Sequence, residues 1–243
     1  MCRWARGAAS TGSARGARQC GIVTGDIAQK GCAAASNRQA GGTSSLRVRH
    51  PVSLAGNRSP VSSRRNNRLS HFTIDLEDKA DLVLREPWTV DGMHALITKN
   101  LDRLRNWESW AQGEQTRDGL ECFTNHQLSE WVAGRSLPAA IRQNGALVGS
   151  VGARIDLYAG VADLGYWIDA DQEGRGLVTQ ASRAVIDHLR NDRGLRRIEI
   201  RAAVGNTRSR AVAERLGFEF EGTLRRAQQV GETVHDVALY ALT

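Results

Sequence analysis

The run Leu164-Gly165-Tyr166-Trp167-Ile168-Asp169-Ala170-Asp171-Gln172-Glu173-Gly174-Arg175-Gly176-Leu177 constrains the fold more than any other stretch of the chain. An apolar, aromatic strand pattern ends in two glycines one residue apart. A helical pattern follows at once, with Val178, Ala181, Val185 and Leu189 apolar. A helix that opens this way leaves its first backbone N–H groups without acceptors and aimed in one direction. Such an array can hold a phosphate or pyrophosphate.

The flanking patterns predict the rest of the frame. Leu82-Val83-Leu84-Arg85 reads as a short strand stopped by Pro87. Met93, Leu96, Ile97 and Leu101 recur at spacings of three and four in a helix from about Val90. Leu104, Trp107 and Trp110 follow in an irregular stretch, then a helix from near Thr116 to Val132, ended by Gly134. Strands are predicted at Ser136–Arg142, Ala146–Asp156 and Val161–Ile168, with Asn144-Gly145 a hairpin turn between the first two. A helix at Leu177–Leu189, a strand at Arg196–Ala202, a helix at Thr207–Leu216 and a terminal hairpin about Gly231 complete the series. The order β-α-α-β-β-β-α-β-α-β-β implies an α/β (α+β) fold, a mixed central sheet flanked by helices. It is not a doubly wound nucleotide fold, because the glycine turn follows the fourth strand.

Charge divides the chain. Residues 1–70 hold 12 Lys+Arg against the single acid Asp26, whereas the remainder is mildly acidic although the whole chain is +7. With Trp4 its only aromatic residue, this stretch offers little to bury, and it reads as a basic, disordered extension. Scattered arginines attract phosphates without specificity, so no specific nucleic-acid partner is expected. Residues 71–243 suffice for one well-filled core. The cysteines at 2, 20, 32 and 122 lack metal-ligand spacing, and His94, His126, His188 and His235 suggest neither a metal nor a base pair. No metal is expected. No apolar run is long enough for a membrane span and no signal-peptide core follows Met1, so the expectation is a cytoplasmic protein without a membrane partner, monomer or homodimer.

In this order of elements, Gln172-Glu173-Gly174-Arg175-Gly176-Leu177 resembles the acyl-CoA pyrophosphate loop of the GNAT N-acetyltransferases. The segment from Arg197 to Phe218, with Asn206-Thr207-Arg208-Ser209 at its centre, is similar to the branch of ribosomal-protein N-terminal acetyltransferases of the RimJ/RimL type. Glu221-Gly222-Thr223-Leu224-Arg225-Arg226 and Tyr240 fit as well, and the likeness spans 72–243. It implies the GNAT fold, in which the Tyr166–Ile168 strand carries a bulge and splays from Arg196–Ala202 to admit pantetheine. It further implies acetyl-CoA as the donor, held by residues 172–177 with Asn206 on the pantetheine arm and Arg208 near the phosphates. A free N–H near Trp167–Asp169, with Trp167 and Ile168 as the catalytic pair, would polarise the thioester carbonyl. Ser209 would protonate the departing thiolate.

Tyr166 and Trp167 are adjacent and face opposite sides of the sheet. One is core and the other lines the acyl or acceptor cavity; which is which stays open here. Trp107 and Trp110 fall where the resembled fold places an acceptor-facing lid. The branch commonly carries a basic glutamate in the strand after the Gly-x-Leu segment, and here that position is Gln228. An amide cannot take a proton, so either a water path leads to another carboxylate, with Glu130 and Asp169 as candidates, or the acceptor arrives deprotonated, or the chain has drifted in activity. The expected acceptor is a primary amine, first of all a protein N-terminal α-amine attacking directly in a ternary complex, with a small-molecule amine as the alternative. A non-catalytic acyl-CoA-binding module is the rival.

Overall fold

The computed structural model describes residues 72–243; the predicted extension over 1–70 lies outside the described residues. Strands β1 (Thr73–Asp75) and β2 (Ala80–Leu84) come first. Helices α1 (Val90–Leu104) and α2 (Arg117–Val132) follow, then β3 (Ser136–Gln143), β4 (Ala146–Asp156) and β5 (Val161–Ile168). Helix α3 (Leu177–Asp187), β6 (Arg197–Ala203), α4 (Thr207–Arg215), β7 (Glu219–Val230) and β8 (Thr233–Leu242) complete the chain. The predicted order is present, with β1 added ahead of it. At three residues β1 is too short to show a period, and it forms because the turn at Asp78 and Lys79, both at positive φ, folds it back on β2.

The eight strands form one sheet in the order β1-β2-β3-β4-β5-β6-β8-β7. Asn144 and Gly145 both adopt positive φ, as the predicted tight hairpin requires. All neighbours are antiparallel except β5 and β6, which run parallel. That pair meets only at Val161↔Arg197, Ala162↔Ile198 and Asp163↔Glu199. Beyond these, β5 continues along β4 to Ile168 and β6 continues along β8 to Ala203. The two strands therefore diverge from Asp163 and Glu199 onward, leaving a wedge inside the sheet.

The bulge expected in Tyr166–Ile168 is absent: β5 pairs with β4 in unbroken register. The irregularity lies in β4, where the β3 register shifts between Ile141 and Arg142 and leaves Val148 as the extra residue. Gly149 explains the placement. A Cβ there would stand 2.6 Å from the Trp167 carbonyl oxygen, so β4 bends and approaches β5 more closely than a side chain permits. Val148 then accepts the Asp169 N–H at 2.8 Å, carrying the ladder past the end of β5.

Strand alternation sets the two sides of the sheet. Leu164 and Ile168 pack with Leu177, Ala181 and Val185 of α3, the i, i+4, i+8 stripe that makes this helix amphipathic, and Tyr166 lies against the same cluster. Trp167 turns the other way, to Met93, Ile97 and Leu104 of α1. Each fully buried aliphatic side chain contributes roughly 1.5–3 kcal/mol.

Gly149→Ala should push β4 off the end of β5. The expected loss is about 1–3 kcal/mol of stability, seen as a melting midpoint lower by roughly 2–10 °C. An unchanged midpoint in a thermal melt would show that β4 does not need this close approach.

Candidate functional site

Gly174 and Gly176 have φ of 74° and 77°, a left-handed backbone that side chains rarely adopt. An added Cβ would meet no atom within 4 Å at either, so conformation and not crowding selects glycine. Gly176 is the N-cap of α3 and its carbonyl accepts the first helical bond, from Gln180. Among the described residues, the amides of 174–179 have no acceptor. Leu177 anchors the helix start in the core at 2% exposure, whereas Gly174, Arg175 and Gly176 are exposed. Gln172 ends the short turn before the glycines, its Oε1 buried without a partner.

Charged groups of α1 staple this corner. Asp169 is buried and receives bonds from Lys99 Nζ (2.7 Å) and Asn100 Nδ2 (3.0 Å), while Asn100 Oδ1 accepts from the Ala170 N–H. Burial disfavours the Asp169 carboxylate, but the Lys99 and Asn100 bonds outweigh it and hold its pKa below the usual range. Lys99 also reaches Asp171. Arg103 bonds both the Glu173 carboxylate and the Ile168 carbonyl. Arg208 crosses from α4 to the other Glu173 oxygen at 2.6 Å. The Glu173 side chain is thus held between two arginines, and Arg208 bridges the wedge beside the glycine turn.

The ladders reveal which backbone groups face the wedge. The Asp169 N–H bond to Val148 fixes the parity of β5, so Trp167 bonds toward β4 while Leu164, Tyr166 and Ile168 turn their N–H groups away from it. On β6 the Val204 N–H bond to Asp236 O leaves Arg201 and Ala203 turned from β8 into the gap. Of the pair Trp167 and Ile168, it is Ile168 whose N–H faces the wedge; Trp167 contributes its indole to the α1 side.

Across the wedge, Asn206 caps α4 by accepting the Ser209 N–H at 3.1 Å. Ser209 Oγ lies 3.2 Å from the Tyr166 hydroxyl, which donates to the Ser209 carbonyl at 3.0 Å. Burial pushes the Tyr166 phenol up to about 12, so it stays a proton-carrying donor at neutral pH. Sequence reasoning left the side of Tyr166 open, and the structure sends it to Ser209.

On the opposite side, the turn between the first two helices carries Trp107, Glu108 and Trp110. Gln228 Nε2 donates to the Trp107 carbonyl at 2.8 Å, so the side chain that replaces the expected base ties this turn to β7. Glu108 Oε2 accepts from the Trp110 indole at 2.8 Å. Burial raises the Glu108 pKa, opposed by that bond. Sequence reasoning passed over Glu108; its position between two tryptophans was the available signal. Glu130 lies elsewhere, paired with Arg135 at the far end of α2, and the Arg135 bonds lower its pKa despite some desolvation. Among the described residues no His, Cys, Asp or Glu cluster could hold a metal, and no helix is long and apolar enough to cross a membrane.

Comparison with known proteins agrees with this geometry. Residues 81–219 match the family model described as the acetyltransferase (GNAT) domain. The Bacillus subtilis (strain 168) protein YdaF is 32% identical over 173 residues, 70% of this chain and 94% of that protein. The ribosomal-protein-serine acetyltransferase of Escherichia coli (strain K12) is 30% identical over 70% of this chain and 95% of its own length. Among solved structures, RimL, a ribosomal L7/L12 alpha-N-protein acetyltransferase in complex with coenzyme A, superimposes with a TM-score of 0.69 at 25% identity. It covers 70% of this chain and 97% of that one.

Gly174→Val and Gly176→Val should each weaken coenzyme A binding by roughly 10-fold or more, because a β-branched residue resists left-handed backbone by about 1–3 kcal/mol. Calorimetric titration with coenzyme A checks this. Unaltered affinity in both variants would remove the turn from the binding site.

Proposed function

The chain belongs to the GNAT acetyltransferase family, and from that premise we propose that its acceptor is a protein N-terminal α-amine. It is an acetyl-CoA-dependent enzyme that transfers an acetyl group to an amine. The parting of β5 from β6 beside the glycine turn carries the assignment of the site. The naming of the E. coli relative as a ribosomal-protein-serine acetyltransferase, and of RimL as an alpha-N-protein acetyltransferase, supports an N-terminal acceptor.

In this reading the amides of residues 174–179, with Arg175 and Arg208, bind the diphosphate at the α3 N-terminus. Asn206, at the β6 end, flanks the pantetheine arm while capping α4. The Ile168 N–H receives the thioester oxygen as negative charge gathers on it, a one-donor oxyanion site. Ser209, backed by the Tyr166 hydroxyl, delivers the proton to the departing sulfur. The Trp107–Trp110 turn covers the acceptor side. An α-amine suits such a site: its pKa of about 7.7–8.0 leaves part of it neutral near pH 7, whereas a lysine near 10.4 stays charged.

Thiol release by the full chain on acetyl-CoA, offered N-terminal peptides, lysine side-chain peptides and small amines, tests the acceptor. Peptides with a free α-amine should be acetylated most efficiently; faster turnover of a small amine would replace this reading with the small-molecule one. Ser209→Ala should lower kcat by about 10-fold or more while the Kd for coenzyme A stays within about 2-fold. Full turnover in that variant would take Ser209 out of the chemistry.

A further inference from the structure

The turn between α1 and α2 reaches both lips of the wedge. At one end, Trp107 ring carbons lie 3.6 Å from where a Cβ on Gly205 would stand, just past the end of β6, and its ring sits 5.9 Å from that of His235 in β8. At the other end, Trp110 packs into the cluster of Ile97, Leu104 and Ala111 that also takes Trp167, the residue before Ile168 in β5. Glu108 falls between the two tryptophans.

Its carboxylate differs from those around the glycine turn. Asp169 and Asp171 are paired with Lys99, and Glu173 with Arg103 and Arg208. Glu108 is half-buried and pairs with no cation among the described residues; the Trp110 indole is the sole side-chain donor to its carboxylate. A desolvated carboxylate without a counter-ion is costly to keep, and that cost is offset when a cation enters beside it.

Resting on the reading that the acceptor is an amine entering from this side, we propose that Glu108 is the catalytic base: its carboxylate receives the acceptor ammonium and takes one proton from it. The amine so freed forms the C–N bond at the thioester carbonyl carbon, and the C–S bond breaks with its electron pair left on sulfur. The nitrogen sheds its second proton to water, the sulfur gains one from the Ser209–Tyr166 pair, which water reprotonates, and the Glu108 proton passes to solvent, so that one proton is released overall. Burial favours the role, since it lifts this carboxyl above its ordinary value and makes it a better proton acceptor near neutrality. Other titratable or charged groups at the turn are His235 from β8, His94 of α1, whose Nε2 lies 2.9 Å from the Gln115 carbonyl, and Arg105 at the end of α1, which pairs with Asp102 and bonds the Ala111 carbonyl through Nε; β7 presents the neutral Gln228.

The test measures kcat/KM from about pH 6 to about pH 9.5 for the full chain, Glu108→Gln, Glu108→Asp and His235→Asn. Each is run on whichever amine of the panel the unmodified chain acetylates fastest, so the acceptor reading can fail while Glu108 is still tested. Glu108→Gln keeps an acceptor for the Trp110 indole and should fold. It should lose about 100-fold or more near pH 7, with the deficit shrinking toward pH 9.5 as the amine loses its own proton. Glu108→Asp should recover part of the rate, His235→Asn should stay within about 3-fold of the unmodified chain, and coenzyme A affinity should not change. The proposal is overturned by a Glu108→Gln deficit under about 3-fold, by one equally deep at both ends of the pH range, by a major loss in His235→Asn instead, or by matching losses in both Glu108 variants.

Discussion

Three residue pairs hold β5 to β6, and everything distinctive about this molecule follows from the ladder stopping there. A sheet interior normally satisfies every backbone N–H and C=O across its strands. Here Tyr166 and the Ile168 N–H on one side, and Arg201 and Ala203 on the other, face a neighbour that has moved away, while Arg103 takes the Ile168 carbonyl. The cost is tolerable because the groups line an opening where an extended ligand can take the place of the missing strand. In the proposed reading, the hydrogen bonds that would have closed the sheet become binding capacity.

A strand with one free edge needs support from elsewhere, and α1 provides it. Lys99, Asn100 and Arg103 occupy one face of its last turns and reach Asp169, Ala170, Ile168 and Glu173. Exposed ion pairs contribute little on their own, but Asp169 is buried, and its partners satisfy a charge that would otherwise be stranded. The network works as a geometric clamp. It sets the direction in which the chain leaves β5, and so where the glycine turn places its amides relative to the wedge. Gly149 and the bulge at Val148 do the complementary task from the other edge, by letting β4 follow β5 to its end.

Much of this was legible in the residues. Helical periodicity located α1 and α3, Asn144-Gly145 marked a hairpin, and the spaced glycines marked the turn of left-handed backbone that opens α3. Local signals could not give β1, three residues long and defined only by its pairing with β2. Nor could they place the bend in β4 rather than β5, since a close approach between strands leaves no period. Alternation established that Tyr166 and Trp167 oppose each other, yet the choice of sides needed the packing of α1 and α4. The function of Gln228 was likewise hidden, because the Trp107 carbonyl it binds lies 121 positions away.

That opposition of Tyr166 and Trp167 organises the proton chemistry proposed for the wedge. Tyr166 joins Ser209 on the α3 and α4 side, where burial keeps the phenol protonated far above neutral pH and makes the pair a standing donor. Trp167 faces the side of α1, packed with Trp110, beneath a turn whose carboxyl is shifted upward by desolvation toward the range where it can accept. A donor and an acceptor close together in one cavity would neutralise each other through a shared hydrogen bond. Set on opposite faces of a single strand, they can act on the same carbonyl from two directions, one receiving the proton of the entering nitrogen and the other supplying that of the leaving sulfur. Gln228, where the family resemblance leads one to expect a glutamate, fits the same logic, since a second carboxylate near Glu108 would compete for the ammonium, whereas the amide fastens the turn that carries Glu108.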